Sequence, residues 1–275
     1  MSEFDRLCIN QVTVLKQWTL PEFLAGARAH NIHTISIWRD KLNEAGVADT
    51  VRRLADSDYR IWSLCAGGLL TPLQTAAGKA ALDEAKRALD DTAAIGAGCL
   101  MFVGGGLDPA DKDLRATRAR VLERLGELVP HARSCGVKIA LEPLHPMVCG
   151  TRSVLSTTKL ANDWCDALNA DDVVGIALDT YAIWWDPDLE TEITRAGRRI
   201  IAFHVNDWLA DTTDLRLDRG MMGDGLIDIK AIRRAVDAAG YAGPIEVEIF
   251  SERNWWQRDP NEVIATVKER FLSAV

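Results

Sequence analysis

The sequence has no long hydrophobic run, since nowhere do about 18 or more apolar residues follow one another. A helix that spans a bilayer needs about 20 such residues, so a membrane-spanning protein is excluded. The first residues, MSEFDRLCIN, lack the charged and then apolar regions of a secretory signal. Linkers rich in proline or glycine and low-complexity tracts are also absent, which predicts one domain over residues 1–275.

The six cysteines are scattered and form no C-x-x-C pair. Several lie within apolar runs, where a free thiol packs as a small hydrophobe. This pattern argues against a disulfide framework or a structural zinc site, and it favours a reducing cytoplasm. The net charge of −8 repels phosphate backbones, so nucleic acid is not an expected partner.

Short β-rich runs alternate with longer helical patterns along the chain. Thr19 and Thr71 are each followed three residues later by Glu or Gln, which indicates helix starts. Asp108 and Asp259 each precede a proline, which indicates two more. Eight strand-like runs lie at 7–13, 33–38, 60–65, 99–104, 137–142, 173–179, 199–205 and 244–250. Eight such alternations predict an α/β fold, a single (β/α)8 TIM barrel. The alternative is a doubly wound sheet, but the G-x-G-x-x-G motif typical of that fold does not follow the first strand.

The last four strands end in polar residues. In a (β/α)8 barrel the active site lies at the carboxyl ends of the strands. Three carboxylates and one imidazole suit a divalent cation: Mn²⁺ is favoured, with Mg²⁺ or Co²⁺ as alternatives, whereas zinc would recruit more His or Cys. The four residues are Glu142, Asp179, His204 and Glu248.

Side-chain alternation supports the convergence of these residues. Ala140, Ala177 and Ala202 each lie two positions before the first three, so small side chains would point into the barrel. Bulky residues, Ile201 among them, alternate with these and would face the helices. On the last strand Glu246 breaks the pattern, either as a rival ligand or as a buried charge paired lower in the barrel.

Each residue also has a structural interpretation. His204 could be a core histidine with satisfied hydrogen bonds, Asp179 could cap the following turn, and Glu248 could be a surface acid. Their joint occurrence at successive strand ends favours the metal site.

Several motifs resemble those of a known family: ALEPLHP, LDTYAIWWDP, AFHVNDW, GDGLIDI and GYAGPIEVEIFS. They are similar to the xylose isomerase-like TIM barrels, and within them to the sugar phosphate isomerase/epimerase group. That group includes ketose 3-epimerases, hydroxypyruvate isomerase and inosose dehydratase. The resemblance implies one divalent metal held by the four strand-end residues, and it favours Glu248 over Glu246. In ketose epimerases the two glutamates also serve as acid and base, which here would be Glu142 and Glu248.

The sequence departs from the epimerase pattern at two places. Those enzymes commonly carry a histidine three residues after the metal-binding Asp, and this position is Ala182 here. This predicts an altered substrate shape, such as a ring in place of an open-chain ketose. The family's substrate-binding arginine also has no clear match, and Arg219 is the candidate substitute.

Other residues are candidates for catalysis or substrate contact. His145 is either a loop histidine bonded to backbone or a second acid or base. Tryptophans after the predicted ligands could stack on a sugar, or pack between loops or in a subunit interface of a homo-oligomer. The loop at 219–225 is either a lid hinged on glycines or a tight connection to the next helix. The tryptophans in question are Trp184, Trp185, Trp208, Trp255 and Trp256.

These observations predict a metal-dependent isomerase or epimerase that acts on a small carbohydrate, a keto-sugar or polyol derivative. Proton abstraction alpha to a carbonyl would give an enediolate, which the metal stabilises. The alternative is a lyase or dehydratase on a cyclic keto-sugar, inosose or keto-glycoside. A phosphodiester hydrolase on the same barrel would need several zinc ions and more than the five histidines present. A binding protein without catalysis is disfavoured by the intact ligand set.

Overall fold

The computed structural model describes residues 4–55 and 57–275, and its centre is a closed barrel of eight parallel strands. The barrel strands are β1 (Leu7–Asn10), β2 (Thr34–Trp38), β3 (Arg60–Gly67), β4 (Cys99–Phe102), β5 (Lys138–Leu141), β6 (Val174–Asp179), β7 (Ile200–Val205) and β10 (Ile245–Val247). Between β7 and β10 lies a separate antiparallel pair, β8 (Asp207–Trp208) and β9 (Arg219–Gly220). Around the barrel the order follows the chain, and β10 closes the barrel on β1. The predicted (β/α)8 barrel is confirmed.

Helices connect the strands. In the described ranges none of them is long and apolar enough to cross a membrane. The helices are α1 (Leu20–Ala29), α2 (Arg39–Ala45), α3 (Val47–Ala55), α4 (Thr75–Ala94), α5 (Leu114–Cys135), α6 (Thr158–Leu168), α7 (Thr180–Ile183), α8 (Leu189–Ala196), α9 (Ile229–Ala238) and α10 (Pro260–Ala274).

Two of the predicted helix starts are confirmed. Thr19 caps α1: its hydroxyl accepts from the amide of Glu22, whose carboxylate accepts from the Thr19 amide in return. Asp259 caps α10, and its carboxylate accepts from the amides of the first turn. In both cases the capping interaction is local, so the sequence pattern is sufficient.

The two other predicted helix starts are wrong. Helix α4 begins only after Gln74, so Thr71 lies in the preceding loop. Asp108 does not cap α5, because Asp113 accepts the capping bond instead. The Asp108 carboxylate accepts from the amide of Leu73 at 3.0 Å, which ties together the loops after β3 and β4. A tertiary contact here replaces the predicted local one.

Strands β1, β4, β5 and β10 end earlier than the sequence predicts. Strand β1 stops at Asn10 because the Asn10 side chain accepts from the amide of Val12 at 2.9 Å and turns the chain. Strands β5 and β10 end one residue before Glu142 and Glu248, respectively. These two carboxylates therefore lie at the rim of the barrel, immediately beyond the last ladder position.

Two apolar clusters divide the core as the alternation predicts. Inside the barrel, Ala140, Ala177 and Ala202 pack with Cys65, Cys99 and Met101. Between barrel and helices lies a much larger cluster that includes Ile139, Leu141, Ile176, Leu178 and Phe203. The prediction is wrong for Ile201, which packs against the inner cluster. The ladder between β6 and β7 skips this residue, so a β-bulge reverses its side chain.

Candidate metal centre

The four strand-end residues come together at one rim of the barrel. All four are buried, and each offers one ligand atom such that these atoms lie within 4.8 Å of one another. Parallel strands in register place successive ends side by side, so residues far apart in sequence become neighbours. We call Glu142, Asp179, His204 and Glu248 the quartet.

His204 is oriented by carboxylates on both sides of its ring. Its Nδ1 lies 3.4 Å from a Glu142 oxygen and 3.6 Å from a Glu248 oxygen. Although the ring is fully buried, neither nitrogen makes a hydrogen bond of good geometry. A buried, unpartnered nitrogen that faces two carboxylates is what a cation bound between them would satisfy. The residues therefore fit a divalent metal.

Glu246 lies below the quartet rather than in it. Its carboxylate is fully buried, 3.5 Å from Nε2 of His204, and accepts from Nδ2 of Asn10 at 2.6 Å. Of the two alternatives for Glu246, the structure favours the charge paired lower in the barrel. Asn10 also donates to Glu248 at 3.2 Å, so one amide joins the two acidic residues of the last strand.

Two residues that the sequence did not single out hold the quartet's carboxylates. Asn206 donates to Asp179 at 2.8 Å and to the backbone carbonyl of Glu248 at 3.2 Å. Asn10, from β1, reaches the same group from the opposite side of the barrel seam. Only the polar character of AFHVNDW and of the end of β1 could have pointed to them.

Arg219 lies against the quartet. Its Nη1 contacts Asp179 at 2.9 Å and Glu248 at 3.0 Å. The guanidinium also stacks on the rings of Tyr181 and Phe250, each 4.7 Å from the ring centroid. Arg219 thus balances part of the negative charge, and it lines the cavity beside the quartet.

The surroundings shift the pKa values of Glu142 and Glu248 in opposite directions. Burial raises the pKa of Glu142, and the charge of Glu248 adds to this effect although His204 opposes it. Burial also acts to raise the pKa of Glu248, but His204 and Arg219 outweigh it and lower this pKa to about 2. Glu142 therefore holds a proton more readily than Glu248 does.

Glu142, Glu248 and Arg219 line a cavity of about 610 Å³. This volume falls within the range of small-molecule sites. Trp38 and Phe250 form an aromatic wall, with their rings edge to face and 5.5 Å between centroids. The sequence did not predict these two aromatic residues as part of the site.

The predicted catalytic histidine belongs to an aromatic cluster next to this cavity. The ring of His145 lies 4.9 Å from Trp208 and 5.7 Å from Trp185, between centroids. Its Nδ1 accepts from the amide of Met147 at 3.2 Å, and burial lowers the pKa of the ring. These observations describe a neutral imidazole whose proton is on Nε2. Its catalytic role stays a prediction.

The predicted substrate-contacting tryptophans contact other protein groups. Trp208 stacks on Tyr181 at 4.6 Å and lies 5.8 Å from Trp184. Trp255 is 5% exposed and donates to Asp224 at 3.2 Å. The described residues that line the cavity do not include these three tryptophans or Trp185. Their contact with substrate stays a prediction.

The structure places both Ala182 and the glycine-rich loop at 219–225. Ala182 is 4% exposed and packs in the large apolar cluster, so it does not open space beside the quartet. The loop at 219–225 is held by Asp207, which accepts from the amides of Gly223 and Gly225 at 2.9 Å each. Of the two alternatives for this loop, the structure favours the tight connection.

A second group of metal-ligand residues lies on the surface between α4 and α5. His131 and Cys135 both approach one oxygen of Asp90, at 2.8 Å and 3.4 Å. These groups are at least partly exposed and already satisfy one another. The buried quartet is therefore the stronger metal candidate.

Comparison with known proteins agrees with this geometry. In Salmonella typhi, L-ribulose-5-phosphate 3-epimerase UlaE is 26% identical over 137 residues, which are 50% of this chain and 44% of that protein. Inosose isomerase of Halalkalibacterium halodurans is 25% identical over 171 residues, 59% of this chain and 56% of that protein. The chain thus spans about half the length of these curated relatives.

Solved structures share the whole fold. Protein SMc04130 of Sinorhizobium meliloti 1021 is 42% identical, with a TM-score of 0.96 over 98% of both chains. The IolI protein, in a structure with zinc, is 22% identical with a TM-score of 0.84 over 98% of both chains, a likeness of fold alone. The model of the xylose isomerase-like TIM barrel family matches residues 24–272. The match covers most of the sequence, and the chain therefore belongs to the xylose isomerase-like TIM barrel family.

Proposed function

We propose that this protein is a divalent-metal-dependent isomerase or epimerase of a keto-sugar or polyol derivative, which removes a proton alpha to a carbonyl. The observation that carries the proposal is the convergence of the quartet beside a cavity of sugar-binding size. The similarity to a ribulose-5-phosphate epimerase and an inosose isomerase supports the same reaction class.

The quartet would hold one metal ion, with Mn²⁺ favoured because three of the four ligands are carboxylates. When bound, such a cation supplies Lewis-acid stabilisation of negative charge on a substrate oxygen. His204 would bind through Nδ1, because Glu246 faces Nε2 and favours the tautomer with its proton there. Glu246 would therefore orient the ring of His204, whereas the nearby Asp207 accepts from loop amides.

Glu142 and Glu248 would move the protons. Both lie within 3.6 Å of Nδ1 of His204 and both line the cavity, so a substrate bound there would lie within reach of two carboxylates. Return of the proton to the same carbon gives epimerisation, and return to the neighbouring carbon gives isomerisation. Arg219, with its guanidinium facing the cavity, would bind a substrate oxygen.

Metal content tests the first part of the proposal. The wild-type protein, incubated with Mn²⁺ and desalted, should hold about one equivalent, and Asp179→Ala should hold close to none. The control is Asp211→Ala, which removes an exposed carboxylate outside the quartet. Equal metal content in the wild type and Asp179→Ala would contradict the assignment.

Solvent-deuterium exchange tests the second part. A panel of keto-sugars, inososes and 3-keto-glycosides should reveal at least one compound whose α-proton exchanges with solvent. Glu142→Gln and Glu248→Gln should each slow this exchange by roughly 10²–10⁴-fold. Exchange at the wild-type rate in variants that retain metal would exclude the two glutamates as acid and base. Loss of a β-substituent from the substrate, released together with the α-proton, would instead favour the lyase alternative. In that case His145→Ala should lower activity without lowering metal content.

A further inference from the structure

Positive as well as negative side chains line the cavity beside the quartet. Three arginines line it: Arg152, Arg216 and Arg219. The quartet contains three carboxylates, and Arg219 contacts two of them at 2.9 Å and 3.0 Å. Arg219 and one divalent cation together balance those three negative charges. The charges of Arg152 and Arg216 take no part in this balance.

These two arginines have no partner for their guanidinium groups. Within residues 4–55 and 57–275, neither side chain forms an ion pair or a hydrogen bond with another side chain. Arg195, in contrast, pairs with Asp163 and Asp166. A guanidinium that lines a cavity without a partner keeps its five donors available to a ligand.

Arg152 is placed there against an energetic cost. Burial lowers the pKa of Arg152, and the positive charges of Arg216 and Arg219 lower it further. The three groups are therefore close enough to repel one another. Glu142 and Glu248 act in the opposite direction, but both belong to the quartet. Mutual repulsion between the guanidinium groups is relieved when an anion binds between them.

Hydrogen bonds tie down the backbone at both arginines. The amide of Arg152 donates to Val148 at 2.8 Å, at the end of the turn that follows β5. Arg216 lies in a turn closed by Asp214, whose carboxylate accepts from its amide at 2.8 Å. Two loops from different parts of the chain, each tied at its backbone by these bonds, thus present one guanidinium each to the same cavity.

The acidic residues of the lining do not cancel this charge. Glu142 and Glu248 belong to the quartet, and the carboxylate of Asp108 accepts from two backbone amides. Asp40 also lines the cavity, but no ion pair joins it to either arginine in the described part of the chain. Two arginines that line one cavity without an ion-pair partner among the described residues favour an anionic ligand.

We propose that Arg152 and Arg216 bind a phosphate group at the end of the substrate away from its reacting carbonyl. Two guanidinium groups match the double negative charge of a phosphate monoester, and each can donate two parallel bonds to its oxygens. This inference rests on the proposed function and narrows its substrate to phosphorylated keto-sugars or polyols. Arg152 and Arg216 are far apart in the sequence and line the same cavity only in the fold.

Binding of inorganic phosphate tests the site without any turnover. Titration calorimetry at low ionic strength should give one phosphate per wild-type chain. Arg152→Gln and Arg216→Gln should each weaken binding by about 10- to 100-fold, the loss of a hydrogen bond between charged groups. Arg198→Gln, an exposed arginine in the turn before β7, is the matched control and should bind phosphate as the wild type does. Equal phosphate binding by all four proteins, or none by the wild type, would overturn the proposal.

Substrate preference tests the same site in the metal-loaded protein. The ratio of kcat/KM for a phosphorylated keto-sugar to that for its unphosphorylated form should fall about 10- to 100-fold in Arg152→Gln, mostly through KM. In Arg198→Gln this ratio should stay at the wild-type value. An unchanged ratio in Arg152→Gln, or a uronate that competes better than phosphate, would overturn the proposal. If no compound reacts but phosphate still binds through the two arginines, the proposed function fails and the anion site stands.

Discussion

Asp207 is the residue whose replacement should most affect the structure around Arg219. It is fully buried, and its carboxylate accepts from the amides of Gly223, Gly225 and Ile227 at 2.9, 2.9 and 3.0 Å. Through these bonds it fixes the loop that follows β9, and β9 carries Arg219. Replacement by alanine removes both acceptor oxygens and therefore all three of these bonds at once.

The expected loss can be worked out from these three bonds. A buried amide left without an acceptor costs about 1–3 kcal/mol. Gly223 and Gly225 are exposed residues whose amides water can reach, whereas Ile227 is buried. We therefore expect Asp207→Ala to lower the free energy of unfolding by about 3–5 kcal/mol, which corresponds to a Tm roughly 6–20 °C lower for a domain of this size. Asp207→Asn retains one acceptor oxygen, so its free energy of unfolding should lie between those of Asp207→Ala and the wild type.

Urea unfolding followed by far-UV circular dichroism measures these differences. The matched control is Asp211→Ala, an exposed carboxylate a few residues further along the same connection, which should change stability by less than about 0.5 kcal/mol. If Asp207→Ala unfolds within about 1 kcal/mol of the wild type, the three amide bonds do not hold the loop, and the reasoning is refuted.

Three further changes test other parts of the structure. In Gly225→Ala the new Cβ would lie 2.1 Å from the carbonyl oxygen of Trp208, so calorimetry should show a free energy of unfolding lower by roughly 1–3 kcal/mol. In the control Gly150→Ala the new Cβ meets nothing within 4 Å, and the free energy of unfolding should not change. Ala182→His places an imidazole in a packed core, so unfolding should be easier by roughly 1–3 kcal/mol and turnover of simple ketoses should not rise. Two neighbouring arginines lower the pKa of Asp166, so its stabilising effect is present above the unfolded-state pKa of about 3.9 and is lost as the pH falls through the lower folded-state pKa. The stability difference between wild type and Asp166→Asn should shrink accordingly in acid unfolding, and a difference that grows below pH 4 would contradict this.

The sequence by itself determined the barrel and the residues at its rim. Alternating apolar runs specify strands, and the capping groups of Thr19 and Asp259 specify helix starts, because these interactions involve neighbours along the chain. Once eight parallel strands close, their carboxyl ends meet at one rim. The convergence of the quartet therefore follows from the position of each residue at a strand end.

Only the tertiary structure decided what surrounds the quartet. Asn10 becomes its partner because β1 and β10 are neighbours in the closed barrel. Asn206 does so because β7, which it follows, lies between β6 and β10. Arg152 and Arg216 reach one cavity from separate loops, whose course depends on packing rather than on local preference. The same holds for Trp208, which stacks on other aromatic rings instead of lining the cavity. Local interactions set which segments form, whereas contacts between distant segments set which side chains line the cavity.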